Sequence, residues 1–392
     1  MRTSNAGWCG VVLAVLLATA CGGVKPAAGG TTSSARANTP PATSFISEAP
    51  TSGTRTQDQC SMVHSAPKFA PSMPSTRMLA LLNLKGSTDF VVRDVTDIDH
   101  PFTVSTLGNQ ANSNVNASAE FVTAAEISTA DANLGLIRMP LSGSPKTLVA
   151  NCGAVPFAWS PDGTAAAYMR ATADPKVQEL HLVSGGYDRV ADSTPALDFP
   201  VGCESRECAD SWDIRMLYSP NGAYISFVQQ LPVAAFRIWT SDGKLVKSTD
   251  RSSATMSVWS GNALYWTDDK GVEVWRNGSQ SLVLPGVSWV RPHASAAGGQ
   301  IVYETRDPGH STAHVFVLDT ATGAVRQIAP SRGEPSFLTS RYIWYLGEHV
   351  CSPGCAIGPT EPTGVTYIYD LQSGTESQSI ITNLWDVWPH AA

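Results

Sequence analysis

Short apolar runs separated by turn-forming residues fill the chain from about residue 78 to its end. The clearest stretch is FAWSPDGTAAAYMR (157–170), and MLYSPNGAYISFVQ (216–229) repeats its pattern. Each reads as an apolar strand, a Ser-Pro-Asp/Asn-Gly turn and a second strand of alternating apolar residues. Asp/Asn-Gly supplies the positive φ of a hairpin turn, and Pro presets φ one step earlier. Anchored on Trp159 and Tyr218, the chain divides into four-strand units at 155–191, 214–248, 255–286, 288–329 and 334–381. Their β-branched and aromatic content suits pleated, packed strands.

Upstream, 78–108 supplies three strands and 115–150 a further unit. The first unit lacks its opening strand, whereas LWDVWPHAA (384–392) is an opening strand with nothing after it. The two fragments complete each other. A strand–turn–strand unit recurring at about forty residues marks a propeller blade. The expected fold is all-β: a seven-bladed β-propeller over 59–392, closed by N- and C-terminal strands so that no sheet edge stays open. Six or eight blades are the alternatives. In this layout Pro292-His293 and Pro389-His390 take the place of Pro161-Asp162 and read as turn residues rather than catalytic histidines.

Residues 1–20 read as an export signal. Arg2 supplies the positive start, Val11–Ala18 the apolar run, and the run is too short to span a membrane. Leu17-Ala18-Thr19-Ala20-Cys21-Gly22 looks like a bacterial lipobox, which implies that Cys21 is lipidated. An ordinary signal peptide cut after Ala20 is the alternative. Residues 22 to about 58 are rich in Gly, Ser, Thr, Ala and Pro, and are expected to form a disordered tether. The folded part is thus expected to be lipid-anchored to the cell membrane on its extracytoplasmic side.

The chain has 392 residues, a net charge of −7 and only 15% charged residues, against roughly 25% in an average soluble domain. Lys and Arg are scattered, so no electrostatic footprint for nucleic acid exists. Of eight cysteines, Cys9 leaves with the signal and Cys21 carries lipid. Cys203–Cys208 and Cys351–Cys355 are expected to close as local disulfides, and Cys60–Cys152 pairs by elimination. Zinc is the competing reading, kept open by His349 near Cys351.

The repeats resemble the WD-like propeller repeat of TolB and related periplasmic proteins, whose consensus carries the same W-S-P-D-G turn. The resemblance covers about 77–392 and implies a propeller that binds proteins or small ligands at a mouth of its channel. TolB's N-terminal partner-binding domain has no counterpart here, so TolB's own function does not carry over.

No G-x-S-x-G elbow, H-E-x-x-H or P-loop occurs. Ser160-Pro161-Asp162-Gly163 begins like a sialidase Asp box, but Ala166 stands where that motif needs Trp. Asp319-Thr320-Ala321-Thr322-Gly323 reads as a strand-ending turn. No catalytic residue, metal site or cofactor is assigned. Trp159, Trp259 and Tyr218 are expected to pack between blades. Trp212, with Asp210 and Asp213 beside the Cys203–Cys208 bracket, is the candidate recognition residue, a lid over the blade edge being its alternative. The expected function is a monomeric binding or scaffold propeller for an unidentified protein or cell-envelope ligand. The alternative is a hydrolase or lyase with a site assembled from blade loops.

Overall fold

The computed structural model describes residues 78–83, 90–108, 112–117, 121–127, 134–140, 147–150, 157–161, 165–172, 174, 176–184, 187–195, 214–229, 235–250, 254–306, 313–350 and 360–388. Among them are 28 strands, β1–β28, and seven four-stranded antiparallel sheets.

β1 (Leu79–Asn83), β2 (Phe90–Asp94) and β3 (Phe102–Gly108) form one sheet, and β4–β7 form the next within 112–150. The third holds β8 (Phe157–Trp159), β9 (Ala165–Ala171), β10 (Val177–Ser184) and β11 (Tyr187–Pro195). The fourth holds β12 (Ile214–Tyr218), β13 (Tyr224–Gln229), β14 (Ala235–Thr240) and β15 (Leu245–Asp250). The fifth runs from β16 (Thr255–Ser260) and β17 (Ala263–Asp268) to β18 and β19, which lie within 271–285. The sixth holds β20 (Val290–Ala294), β21 (Gln300–Arg306), β22 (Ala313–Asp319) and β23 (Val325–Pro330). The seventh comprises β24 (Arg332–Phe337), β25 (Tyr342–Val350), β26 (Thr360–Asp370) and β27 (Thr375–Gln378). The last strand, β28 (Leu384–Trp388), returns to the first sheet. It pairs antiparallel with β1, Ala80 opposite Val387 and Leu79 opposite Trp388.

The first strands of successive sheets pack on one another, β8 on β12, β12 on β16, β16 on β20, β20 on β24 and β24 on β28. Both faces of a sheet are therefore buried against neighbours. In β17, Leu264 and Trp266 join the core shared with the fourth sheet, while Ala263 and Tyr265 join the core shared with the sixth. This explains why the strands read as apolar runs with alternation inside them. The expected packing role of Trp259 is found: its Nε1 donates to Ser226 Oγ of β13 at 2.9 Å.

Serine closes the repeated hairpin. Ser219 Oγ accepts the Tyr224 N–H at 2.9 Å, and Ser160 Oγ accepts the Ala165 N–H at 2.8 Å. Ser295 Oγ accepts the Gln300 N–H at 3.3 Å in the same place. Gly222 takes the positive φ that the Asn-Gly turn requires, +70°, whereas Asp162 and Gly163 lie outside the described residues.

That register corrects the reading of Pro292-His293. Ser295 is the equivalent of Ser160, so His293 lies on the first strand, opposite Val302, and not in the turn. Pro292 sits at a bulge in β20, between residues paired with Glu304 and Val302. A bulge is one of the few sheet positions that tolerates a residue without an N–H. Pro389 and His390 lie outside the described residues.

Candidate functional site

Three neighbouring first strands share one irregularity. In β16, β20 and β24 two residues oppose one: Met256-Ser257 face Trp266, Arg291-Pro292 face Tyr303, and Glu334-Pro335 face Tyr345. At the first residue of each bulge the backbone is left-handed, with φ of 48° at Met256, 49° at Arg291 and 54° at Glu334. None is a glycine, so each costs about 1–2 kcal/mol. Bulges re-aim side chains, and strained backbone at equivalent positions is held by its surroundings. Here the holders are visible. Trp289 Nε1 donates to the Met256 carbonyl at 3.0 Å, and the Glu334 N–H donates to Glu304 Oε2 at 2.9 Å.

The last two bulges present charge. Arg291 on β20 forms an ion pair with Glu334 on β24, and both side chains are about one-third exposed. Beneath them Arg306 Nε lies 2.6 Å from Glu304 Oε1, and Arg306 Nη2 lies 3.2 Å from Glu348 Oε1. Glu304 is fully buried. Burial holds its carboxyl above the ordinary carboxylate range, and the nearby Glu348 adds to this; the Glu334 N–H, Arg306 and Arg291 pull the other way. Gly333 lies close against these groups. A Cβ there would run into the Glu348 carboxylate and come within 3.3 Å of Glu304 Oε2. The result is an ionic patch, fixed by backbone, on the first strands of two adjacent sheets.

A concavity lies at the opposite strand ends, between the third and fourth sheets. It is a cleft of about 640 Å³ walled by the two repeated turns, with Ser160 and Pro161 on one side and Tyr218, Pro220, Asn221 and Gly222 on the other. Ser184, Tyr187, Arg189 and Ser241 complete its rim. Tyr187 is 79% exposed. Arg189 Nη2 donates to the Asp242 carbonyl at 2.7 Å. β11, which carries Tyr187 and Arg189, is clasped from below. His181 sits between Asp188 at 3.0 Å and Glu179 at 3.2 Å, and its ring stacks on Tyr168 with centroids 4.8 Å apart. The Tyr168 hydroxyl donates to Asp188. Burial first, then the Asp188 carboxylate, pushes that phenol well above its usual range. It stays a donor, and the group is a structural clasp rather than a nucleophile with its base.

Cys21, Cys60, Cys152, Cys203, Cys208, Asp210, Trp212, Asp213, Cys351 and Cys355 all lie outside the described residues. Among the described residues no group of three or more His, Cys, Asp or Glu is suited to hold a metal. The expected turn at Asp319 is present, with its Oδ1 accepting the Ala321 and Thr322 N–H groups. The charged first-strand residues and the Tyr187 cleft were not expected. The signal of the charged residues was present as X-Pro and isolated charges within apolar strands, in VRPHA, YETR and GEPSF.

No family model matches the chain, and no curated protein is similar to it in sequence. Solved structures do resemble it. A prolyl endopeptidase is 12% identical over 81% of this chain and 49% of its own, with a TM-score of 0.53. The β-propeller domain of the trilobed protease from Pyrococcus furiosus is 13% identical over 68% of this chain and 82% of its own, with a TM-score of 0.46. TolB from Acinetobacter baumannii is 15% identical, covering 78% of this chain and 80% of its own, with a TM-score of 0.40. Four-stranded sheets that pack through their first strands, a terminal strand returned to the first sheet, and the likeness to the prolyl endopeptidase together describe a β-propeller fold.

Proposed function

We propose that this propeller is a binding module, anchored through Cys21 to the extracytoplasmic side of the cell membrane, that holds a protein or cell-envelope ligand at the Arg291–Glu334 patch. The observation that carries the reading is the pair of bulges that fixes these two side chains. Two strained non-glycine positions bring one cation and one anion together at the surface, beside the buried Glu304 and the Arg306 that bridges it to Glu348. Charged side chains that leave a bulge-fixed backbone and already hold each other in an ion pair lose less freedom when a ligand arrives, and complementary charge gives specificity. The Cys351–Cys355 insertion follows three residues after Glu348, so a loop stiffened by a disulfide would leave from the strand that supports the patch.

The test is co-sedimentation of the soluble domain with the isolated cell envelope of the bacterium that makes it. The parent domain is expected in the pellet, and the Arg291→Ala, Glu334→Ala double variant is expected to bind at least about tenfold more weakly, a loss of about 1.4 kcal/mol. Equal retention of parent and variant contradicts the reading. Consumption of envelope material by the parent, lost in the variant, favours the hydrolase or lyase alternative.

A further inference from the structure

The cleft between the third and fourth sheets stands apart from the ionic patch and has a different chemistry. Its rim carries an exposed aromatic ring, Tyr187, and the neutral hydroxyls of Ser184 and Ser241. Asn221 uses its Oδ1 to accept from Ser219 Oγ at 2.8 Å and from the Ala223 N–H at 3.1 Å. Its amide NH2 group has no partner among the described residues. Among the described residues lining the cleft Arg189 is the charged one, and it lies close enough to Asp242 to help the Thr240 hydroxyl hold that carboxyl below the ordinary carboxylate range.

An aromatic face with a ring of hydroxyl and amide groups suits a flat, polyhydroxylated ligand better than a phosphate, which calls for several cations or backbone N–H groups. Tyr offers its broad face at small entropic cost, and the polar groups fix orientation. Arg189 matches a carboxylate in bidentate geometry. We propose that this cleft is a saccharide site that takes a carboxylate-bearing oligosaccharide, with Tyr187 as the stacking face and Arg189 as the carboxylate partner. A volume of about 640 Å³ suits about two to three sugar units. The carboxylate belongs to a uronic acid or to the lactyl group of muramic acid.

The proposal does not rest on the Arg291–Glu334 reading, because the two sites occupy opposite strand ends of different sheets. Calorimetric titration of the soluble domain separates the possibilities, with a muramic-acid disaccharide, a hyaluronan tetrasaccharide and neutral chitotetraose as probes. At least one acidic probe is expected to bind about tenfold or more tightly than chitotetraose. Tyr187→Ala is expected to weaken that binding about tenfold, and Arg189→Gln to close the gap between the acidic and neutral probes. Both residues are exposed, and unchanged melting of the two variants shows that the fold is kept. Which acidic probe binds identifies the source of the carboxylate, and Arg291→Ala leaves the titration unchanged. The proposal is overturned if neither acidic probe binds, if chitotetraose binds equally well, or if Tyr187→Ala binds like the parent. Displacement of no sugar but capture of an acidic proline-containing peptide at the same residues would equally overturn it.

Discussion

Arg291 and Glu334 reverse the usual residue preferences of a strand. Inside a regular strand, glycine is the weaker choice, because it loses more freedom on folding than alanine does. At a left-handed position the Cβ penalty of about 1–2 kcal/mol outweighs that loss. Arg291→Gly is therefore expected to melt above Arg291→Ala, by a gap of about 1 kcal/mol. Thermal melts of the two variants check the order, and the reverse order would mean that the bulge relaxes on substitution. Glu304 supplies a pH dependence with a definite sign. Its folded pKa lies above the unfolded value, since burial outweighs the pull of Arg306, Arg291 and the Glu334 N–H, with Glu348 adding to the rise. The stability it contributes is complete below the ordinary carboxylate range and is lost as pH rises through the folded value. Glu304→Gln stays neutral and keeps an acceptor for Glu334. Its melting temperature relative to the parent is expected to rise between about pH 4 and pH 7. A gap that stays constant or narrows would show that Arg306 already dominates.

The repeated hairpin is the element where sequence and structure speak most nearly alike. Ser219 Oγ donates to Asn221 Oδ1 and accepts the Tyr224 N–H. Ser219→Ala is accordingly expected to cost about 1 kcal/mol, read from chemical denaturation midpoints. A change below a few tenths would mean that the turn closes without its serine. Alternation and the Ser-Pro-Asp/Asn-Gly turns made the four-strand units legible, because period-2 burial and positive φ at glycine both leave marks in residue type. The ionic patch left weaker marks. A bulge with Gly in its left-handed position would have been readable, but Met256, Arg291 and Glu334 are residues that rarely adopt that conformation. Only the prolines at 292 and 335 betray two of the bulges, and the first of them is easily taken for a turn proline. Tyr187 gave no sign at all: an aromatic residue in an outer strand reads as core, and only the packed structure shows it exposed.

At the scale of the whole molecule, the two ends of the propeller domain meet in one sheet. Leu79, Ala80, Leu81 and Leu82 of β1 face Trp388, Val387, Asp386 and Leu384 of β28. Val387 is fully buried, in a core with Ala80, Leu82 and Trp344 of the seventh sheet. Without β28, β1 becomes an open edge and the first sheet loses its contact with β24. Burial of a large apolar side chain contributes about 1.5–3 kcal/mol, so a chain ending at residue 383 is expected to be less stable. Amide hydrogen exchange reads the pairing itself. In the full-length domain the β1 amides that face β28 are expected to be protected as well as those in the middle of the sixth sheet. In the chain ending at 383 they are expected to exchange faster by orders of magnitude, while β21 and β22 keep their protection. If β1 is equally protected in both chains, β28 is not its partner, and the propeller is not joined by its ends.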